Sequence, residues 1–263
     1  MGMAEREAKC RALVRKYYSG VPSREIVMDE VIAPLLDGQQ RLLDARCGDT
    51  LFLLNRYGPD AAFTVGMDVV TPSGKPEGRG VVTVGDLARL PFKDASFDLI
   101  VSRSVFEHLE RPTLVFKELS RTLKPGGRLV FTTPNKYDYA SLVAWVIPYS
   151  WKDFYLRRVF GEESYDHFPV FYRANSPRAL RRVATESGLC IERLQALRHF
   201  PYYLLFSPTL FRIGMLYDWL VTALGLDCLK STWLVVMGRA QAPRCGPSLS
   251  AWSSRALGGR PSS

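Results

Sequence analysis

Histidine and paired cysteine are both scarce in this sequence. Its 263 residues include three histidines, His108, His167 and His199, too few for a catalytic histidine cluster. The five cysteines are scattered, odd in number and lack C-x-x-C spacing. They therefore predict neither a disulfide framework nor a zinc site, and no other metal centre is expected. This cysteine usage indicates a reducing compartment, so we expect a cytoplasmic protein.

Uninterrupted apolar segments are also lacking. The N-terminal stretch "MGMAEREAKCRALVRKYY" is charged throughout and has no signal-peptide core. Residues 200–226 are apolar and long enough to span a bilayer, but Pro201, Pro208, Arg212 and Asp218 interrupt them. We expect this insertion to fold onto the sheet edge as a pocket wall, or to lie on the inner membrane face as a peripheral element.

The net charge of +9 and the isoelectric point near 9.4 admit nucleic acid, anionic membrane or an acidic small molecule as a partner. A well-solvated basic surface is the commoner reading of such a charge. Arginines cluster at 173–182, but no stacking aromatics or nucleic-acid module accompany them. We therefore expect no nucleic-acid partner.

Short apolar runs alternate with helical segments, which is typical of an α/β fold. Residues 3–36 predict two helices broken at "SGVPS". Strands are predicted at 41–45, 62–67, 80–84, 97–102, 127–133, 189–197 and 231–239. The near-continuous apolar strands indicate a mostly parallel sheet with helices on both faces. We divide the chain into N-terminal helices or a lid (1–38), one domain (39–240) and a Pro-, Gly- and Ser-rich tail expected to be disordered (241–263).

Two of the predicted helices have defined ends. "RPTLVFKELSRTLKPGG" has helical spacing of apolar residues and is expected to stop at Pro125–Gly127. "ANSPRALRRVATESG" has Ser176 as a predicted N-cap, Pro177 in its first turn and Gly188 at its end.

Three successive strands end in an acidic residue. "LLDARCGDT" (42–50) passes from a strand through Asp44 into a tight turn around Gly48. Asp68 lies twenty residues after Gly48 at the end of the second strand, where nucleotide-binding folds place the acid that accepts the ribose hydroxyls. The third strand ends at Asp86. Each acid could equally be a helix cap.

Downstream of Asp86 the sequence resembles the class I S-adenosylmethionine (SAM) dependent methyltransferases, closest to their type 11, ubiquinone/menaquinone-biosynthesis-like group. The resemblance covers residues 38–135 tightly and the rest loosely. The segments that carry it are Gly85-Asp86, Leu90-Pro91-Phe92, Ser96-Phe97-Asp98, Glu107-His108-Leu109 and Leu123-Lys124-Pro125-Gly126-Gly127. It implies a doubly wound, Rossmann-like, seven-stranded sheet with the last strand antiparallel. It also implies SAM as the cofactor and a small-molecule acceptor, with a lipid-linked acceptor as one option.

The resemblance also implies roles for individual residues. Asp44 would reach the methionine end of the cofactor, Asp68 the ribose diol, and Asp86 the adenine amino group. Leu87 would pack on the adenine ring. The further residues expected along the cofactor are Arg46, Cys47, Gly48, Met67, Ser102 and Arg103.

Arg46 departs from the family pattern, which has glycine in this turn and another glycine where Thr50 stands. An arginine loses the freedom of glycine at positive φ, and its charge would repel a sulfonium. It could instead pair with the cofactor's carboxylate or with an anionic acceptor. A SAM-binding protein with weak or lost catalysis is therefore the main alternative to an active methyltransferase.

Methyl transfer needs a base only where the acceptor must lose a proton. His108, just after the fourth strand, is the candidate catalytic residue, with a backbone-bonded structural histidine as the equal alternative. Glu107 is expected to be a cap or an ion-pair partner, and Tyr17 and Tyr18 to be either an N-terminal lid or core aromatics. An NAD-linked oxidoreductase is disfavoured because G-x-G-x-x-G is missing, and an RNA-directed methyltransferase is a minor alternative.

Overall fold

The computed structural model describes residues 2–139, Ser141 and residues 169–240. The predicted tail at 241–263 and His167 lie outside the described residues. The helices are α1 (Met3–Tyr17), α2 (Arg24–Ile32), α3 (Phe52–Tyr57), α4 (Pro112–Thr122), α5 (Pro177–Ser187) and α6 (Pro208–Ala223). The strands are β1 (Arg41–Ala45), β2 (Phe63–Asp68), β3 (Gly80–Val84), β4 (Phe97–Arg103), β5 (Leu123–Pro134), β6 (Leu189–Leu197) and β7 (Thr232–Arg239).

The seven strands form one sheet in the order β3-β2-β1-β4-β5-β7-β6. The pairs from β3 through β5 are parallel, whereas β7 runs antiparallel to both β5 and β6. The predicted fold class, including the antiparallel last strand, is confirmed. The strand order reverses between β1 and β4, and an open α/β sheet forms its ligand crevice at the carboxyl ends of the strands at such a point.

Each face of the sheet has its own apolar core. One core joins the sheet to α4 and α5 and includes Phe116, Phe131 and Leu180. The other joins it to α2 and α3 and includes Met28 and Leu54. The predicted caps of α5 are present, since Ser176 Oγ accepts a hydrogen bond from Ala179 N and Gly188 has φ +72°.

The helix expected to reach Pro125–Gly127 ends earlier, at Thr122. The carbonyls of Arg121 and Thr122 accept hydrogen bonds from Ala95 N (3.0 Å) and Ser96 N (2.8 Å), in the loop that enters β4. Leu123 is already paired with Phe97 on β4. The loop before β4 thus bonds the carbonyl oxygens that would accept hydrogen bonds in a further helical turn.

The apolar insertion consists of a short 3-10 turn at Tyr202–Leu204 and α6. Two of its buried side chains, Leu205 and Phe211, pack against Cys10 of α1. The sequence predicted packing on the sheet edge and did not predict this contact with α1. An ion pair between Arg198 and Asp218 (2.6 Å) ties α6 to the end of the edge strand β6. Among the described residues, no helix has the length and apolarity needed to cross a bilayer.

The state of three cysteines is defined by the structure. Cys10, Cys47 and Cys228 are free thiols. In the part of the chain that the structure describes, no cluster of three or more His, Cys, Asp or Glu side chains could hold a metal ion.

Candidate cofactor crevice

The turn after β1 lies at the switch point and is bonded to the end of β2. Arg46 N and Cys47 N both donate to Met67 O, at 2.8 and 3.1 Å. Arg46 (φ +70°) and Gly48 (φ +63°) are both left-handed. Glycine adopts this conformation without strain, whereas an arginine does so at a cost of about 1–3 kcal/mol. The structure therefore places Arg46 in a conformation that suits the glycine of the family pattern.

The Asp68 carboxylate is hydrogen-bonded to the backbone of this turn. Its Oδ2 accepts a hydrogen bond from Gly48 N at 2.9 Å and its Oδ1 accepts one from Val69 N at 2.7 Å. Arg46 Nε lies 3.6 Å from Asp68 Oδ1 in a largely buried ion pair. Asp68 therefore holds the turn in shape and also has the arginine charge against its carboxylate.

Asp44 is a buried carboxylate with one unsatisfied oxygen. Its Oδ2 accepts from Leu54 N at 3.1 Å, near the start of α3. Its Oδ1 has no hydrogen-bond partner among the described residues. Burial raises the pKa of Asp44 from 3.8 to about 7, against the opposing effects of the Leu54 hydrogen bond and the Arg103 charge. A donor or a cation bound at Oδ1 would satisfy it.

Three other predicted residues have side chains that face the protein interior. The Cys47 thiol lies against Gly66 of β2, where an added Cβ would come within 3.1 Å of its Sγ. Met67 is fully buried in the core. Ser102 Oγ donates to Ala45 O at 2.8 Å and so joins the ends of β4 and β1. These three side chains are placed to shape the crevice.

The end of β3 carries the pair predicted to meet the adenine. Asp86 is exposed, and its Oδ1 accepts a hydrogen bond from Ala88 N at 2.9 Å. Leu87 is buried within the core cluster on the α4 face. The carboxylate of Asp86 is accessible to a ligand, whereas the side chain of Leu87 packs into the core.

The start of α2 covers the end of β4. Arg103 Nη1 lies 3.4 Å from Glu25 Oε1, and its guanidinium lies 4.2 Å from the Phe52 ring centroid. Arg24 Nη1 donates to Ser104 Oγ at 3.5 Å. Burial is the largest influence on Arg103 and lowers its pKa. These contacts bring α2 beside the crevice, a position that the spacing of the sequence did not indicate.

The two tyrosines considered as a lid or as core aromatics differ in their surroundings. Tyr17 is exposed at the end of α1. Tyr18 is buried, donates from its hydroxyl to Asp218 Oδ2 at 3.0 Å and packs edge-on against Phe200. Tyr18 therefore fixes α1 to α6.

Glu107, which the sequence predicts as a cap or an ion-pair partner, is a buried carboxylate. It is buried between the ends of β4 and β5, and its Oε2 has no hydrogen-bond partner among the described residues. Burial raises its pKa to about 7. An Oε1 to His108 Nε2 distance of 3.9 Å links it to its neighbour, whose Nδ1 lies 3.0 Å from Pro169 O. This backbone contact favours an anchoring role for His108, which stays a candidate catalytic residue.

These positions fit SAM in charge and in hydrogen-bonding capacity. Asp44 Oδ1 is a buried acceptor in need of a partner, and the ammonium group of a methionine is a suitable donor. Asp68 has both oxygens at the turn, where a ribose diol would donate, although Arg46 shares one of them. A cavity of about 380 Å³ lined by Pro34, Lys124 and Gly126 lies at the opposite end of the strands and is not this crevice.

The fold and this acid-lined switch point define a Rossmann-like domain of the class I methyltransferase type. Residues 43–131 match the family model of the type 11 methyltransferase domain, described as "Methyltransferase domain". The match confirms the resemblance and identifies this part of the chain as a type 11 domain, for which the implied cofactor is SAM.

Two similar curated proteins are malonyl-(acyl-carrier protein) O-methyltransferases. The one from Methylococcus capsulatus is 44% identical over 70 residues, which is 26% of this chain and 25% of that protein. The one from Herminiimonas arsenicoxydans is 39% identical over 98 residues, or 35% of this chain and 36% of that protein. The chain thus spans about a quarter to a third of the length of these relatives.

Among solved structures, the geranyl diphosphate C-methyltransferase from Streptomyces coelicolor, in complex with S-adenosyl-L-homocysteine, has a similar fold. The TM-score is 0.52 at 16% identity, with 81% of this chain and 76% of that chain covered. At 16% identity, this similarity shows a shared fold and nothing about the acceptor.

Proposed function

We propose that this protein is a SAM-dependent methyltransferase that acts on a small-molecule acceptor. The observation that carries the proposal is the unsatisfied Oδ1 of Asp44 beside the turn that Asp68 supports. Bound SAM supplies a methyl group already activated as a sulfonium, so the protein has to position the acceptor in line and exclude water.

The residues of the crevice have distinct tasks in this proposal. Asp44 accepts hydrogen bonds from the cofactor's ammonium group, and Asp68 accepts them from the ribose hydroxyls. Asp86 accepts one from the adenine amino group, with Leu87 supporting that end through the core. Arg103 and Glu25, joined at 3.4 Å, hold α2 over the crevice and so limit the access of water.

A SAM-binding protein with weak or lost catalysis is the second candidate. It is favoured by one observation, the position of Arg46, which has positive φ and pairs with Asp68. Ribose hydroxyls would have to share Asp68 with this guanidinium. A cation in the turn also disfavours a sulfonium nearby. Both effects weaken cofactor binding, and neither changes the fold.

We further propose that the acceptor is linked to a lipid and lies at the inner membrane face. One side of α6 exposes Ile213 (58%), Leu216 (55%) and Trp219 (60%) to solvent. Alongside it lies α1, with five basic and two acidic residues in its sequence. Apolar side chains beside a basic helix suit an anionic lipid surface. The malonyl-(acyl-carrier protein) relatives support a carrier-linked acceptor as the other option.

Calorimetric titration tests the cofactor half of this proposal without any knowledge of the acceptor. SAM and S-adenosylhomocysteine should bind, and NAD should not. Co-purified small molecules identified by mass spectrometry would then indicate the acceptor. Binding of NAD in place of both sulfur compounds would refute the proposed function.

A further inference from the structure

The carboxylate of Glu107 is a buried acidic group for which the proposed cofactor contacts give no role. It lies in a 3-10 turn, Phe106–His108, that follows β4. This turn is at the carboxyl ends of the parallel strands, where Asp44 also lies. Its Oε2 is fully buried and lacks a hydrogen-bond partner among the described residues. An unsatisfied buried carboxylate destabilises a fold, and one at the edge of a crevice is a candidate for binding a ligand.

Two neighbours favour the ionised form of Glu107. One is the side chain of Thr133, at the end of β5, which lowers the pKa of this carboxyl. Asn175 Nδ2 in turn donates to Thr133 Oγ1 at 2.6 Å, and both Thr133 and Asn175 are buried. The positive charge of Arg24 also favours the ionised form of Glu107. These neighbours favour a charged carboxylate, whose Oε2 still lacks a donor among the described residues.

The segment that lies over Glu107 is held by backbone hydrogen bonds and is partly exposed. Phe171 N and Tyr172 N donate to Glu107 O at 2.8 and 3.1 Å. Val170 and Phe171 are 46% and 37% exposed, so a ligand can reach this segment from solvent. Tyr172 has φ +50°, a strained conformation for a non-glycine residue. Strain of this kind concentrates at ligand sites, which agrees with a ligand approaching here.

We propose that Glu107 binds the acceptor through a protonated heteroatom, a hydroxyl or an amine, and takes its proton during methyl transfer. This inference rests on the proposed function. The acceptor heteroatom forms a bond to the methyl carbon while the carbon–sulfur bond breaks. The electron pair of the broken bond stays on sulfur, and the acceptor proton passes to the carboxylate of Glu107. An anionic carboxylate acceptor is disfavoured, because it would face a second carboxylate.

Three matched probes test the class of acceptor: benzylamine, benzyl alcohol and benzoate. Each is titrated at pH 8 into full-length protein saturated with S-adenosylhomocysteine, and thermal stability is recorded. The amine and the alcohol should stabilise the protein, and benzoate should not. In Glu107→Gln, the affinity for benzylamine should fall about 10-fold or more. The control is Glu110→Gln, the same change at an exposed residue three positions on. It should leave the affinities for benzylamine and for benzyl alcohol unchanged.

The possible failures are separable. If S-adenosylhomocysteine does not bind wild-type protein, the proposed function fails. If it binds and Glu107→Gln still binds it normally, the fold and the crevice are intact, and the probe result decides the role of Glu107. Equal binding of benzoate, unchanged benzylamine affinity in Glu107→Gln, or no binding of any probe would each overturn the inference.

Discussion

The guanidinium of Arg46 and the carboxylate of Asp68 form an ion pair across the turn that follows β1, with Nε 3.6 Å from Oδ1. Asp68 also accepts a hydrogen bond from Gly48 N. The charge that departs from the family pattern thus lies against the acid expected to hold the ribose. Whether this pair hinders or assists the cofactor can be measured.

Replacing Arg46 should tighten cofactor binding. Arg46→Gly removes both the charge and the strain at φ +70°, whereas Arg46→Ala removes the charge and keeps the strain. Both variants should bind S-adenosylhomocysteine more tightly than wild-type protein in calorimetric titration. The glycine variant should also melt about 2–4 °C above the alanine variant, for roughly 1 kcal/mol of relieved strain. Weaker binding by both variants would mean that Arg46 pairs with the cofactor's carboxylate.

The affinity for the cofactor should depend on pH through Asp44. Because its pKa is about 7, this carboxyl is mostly protonated at pH 6 and mostly ionised at pH 8. The ionised form is the one that accepts from an ammonium group. The dissociation constant of SAM should therefore fall as pH rises from 6 to 8. Asp44→Asn should bind about 10-fold or more weakly and lose this dependence; a pH-independent wild-type affinity would contradict the role of Asp44.

The same substitution should stabilise the protein without ligand. The pKa of Asp44 is raised in the fold, from 3.8 to about 7, so its contribution to stability is present below pH 3.8 and is lost as pH rises to about 7. An asparagine has no charge to bury. Thermal melts should show Asp44→Asn about 5 °C or more above wild type at pH 8, and this gain should shrink towards pH 5. A melting temperature of Asp44→Asn below that of wild type at pH 8 would show that the Asp44 charge is already satisfied in the fold.

Membrane contact should depend on the exposed side of α6. Wild-type protein should float with liposomes, more so as the anionic lipid content rises and less so in high salt. The triple replacement Ile213→Ser, Leu216→Ser and Trp219→Ser should abolish flotation with little change in melting temperature, because these side chains are exposed. Phe211→Ser is the contrast, since Phe211 is buried against α1 and its loss should unfold the protein at a cost of several kcal/mol. Wild-type protein that ignores anionic liposomes at low salt would end the membrane proposal.

Much of the fold was predictable because the relevant signals are local. Asp44, Asp68 and Asp86 lie within two residues of the carboxyl ends of three parallel strands, so these acids had to gather at one end of the sheet. Ser176 and Gly188 delimit a helix through their own backbone preferences. Apolar runs predict the bounds of the other strands to within one residue, whereas β5 begins at Leu123, four residues before its predicted start.

The unpredicted features depend on contacts between distant segments. The sequence predicts Glu107 as a cap or an ion-pair partner, whereas its backbone carbonyl accepts hydrogen bonds from Phe171 N and Tyr172 N of a distant segment. The early end of α4 at Thr122 is imposed by backbone donors just before β4. The placement of α2 over the crevice depends on pairs such as Arg103–Glu25, which are 78 residues apart. No local pattern carries that information.

The central claim is that the crevice between β1 and β4 binds SAM. Its most direct test is a calorimetric titration of wild-type protein and Asp68→Ala with S-adenosylhomocysteine, with NAD as the comparison ligand. Wild-type protein should bind S-adenosylhomocysteine and not NAD. Asp68→Ala should stay folded and bind about 10- to 100-fold more weakly, since hydrogen bonds to a charged group contribute about 1.5–3 kcal/mol. Binding of NAD alone, or a dissociation constant unchanged by Asp68→Ala, would contradict it.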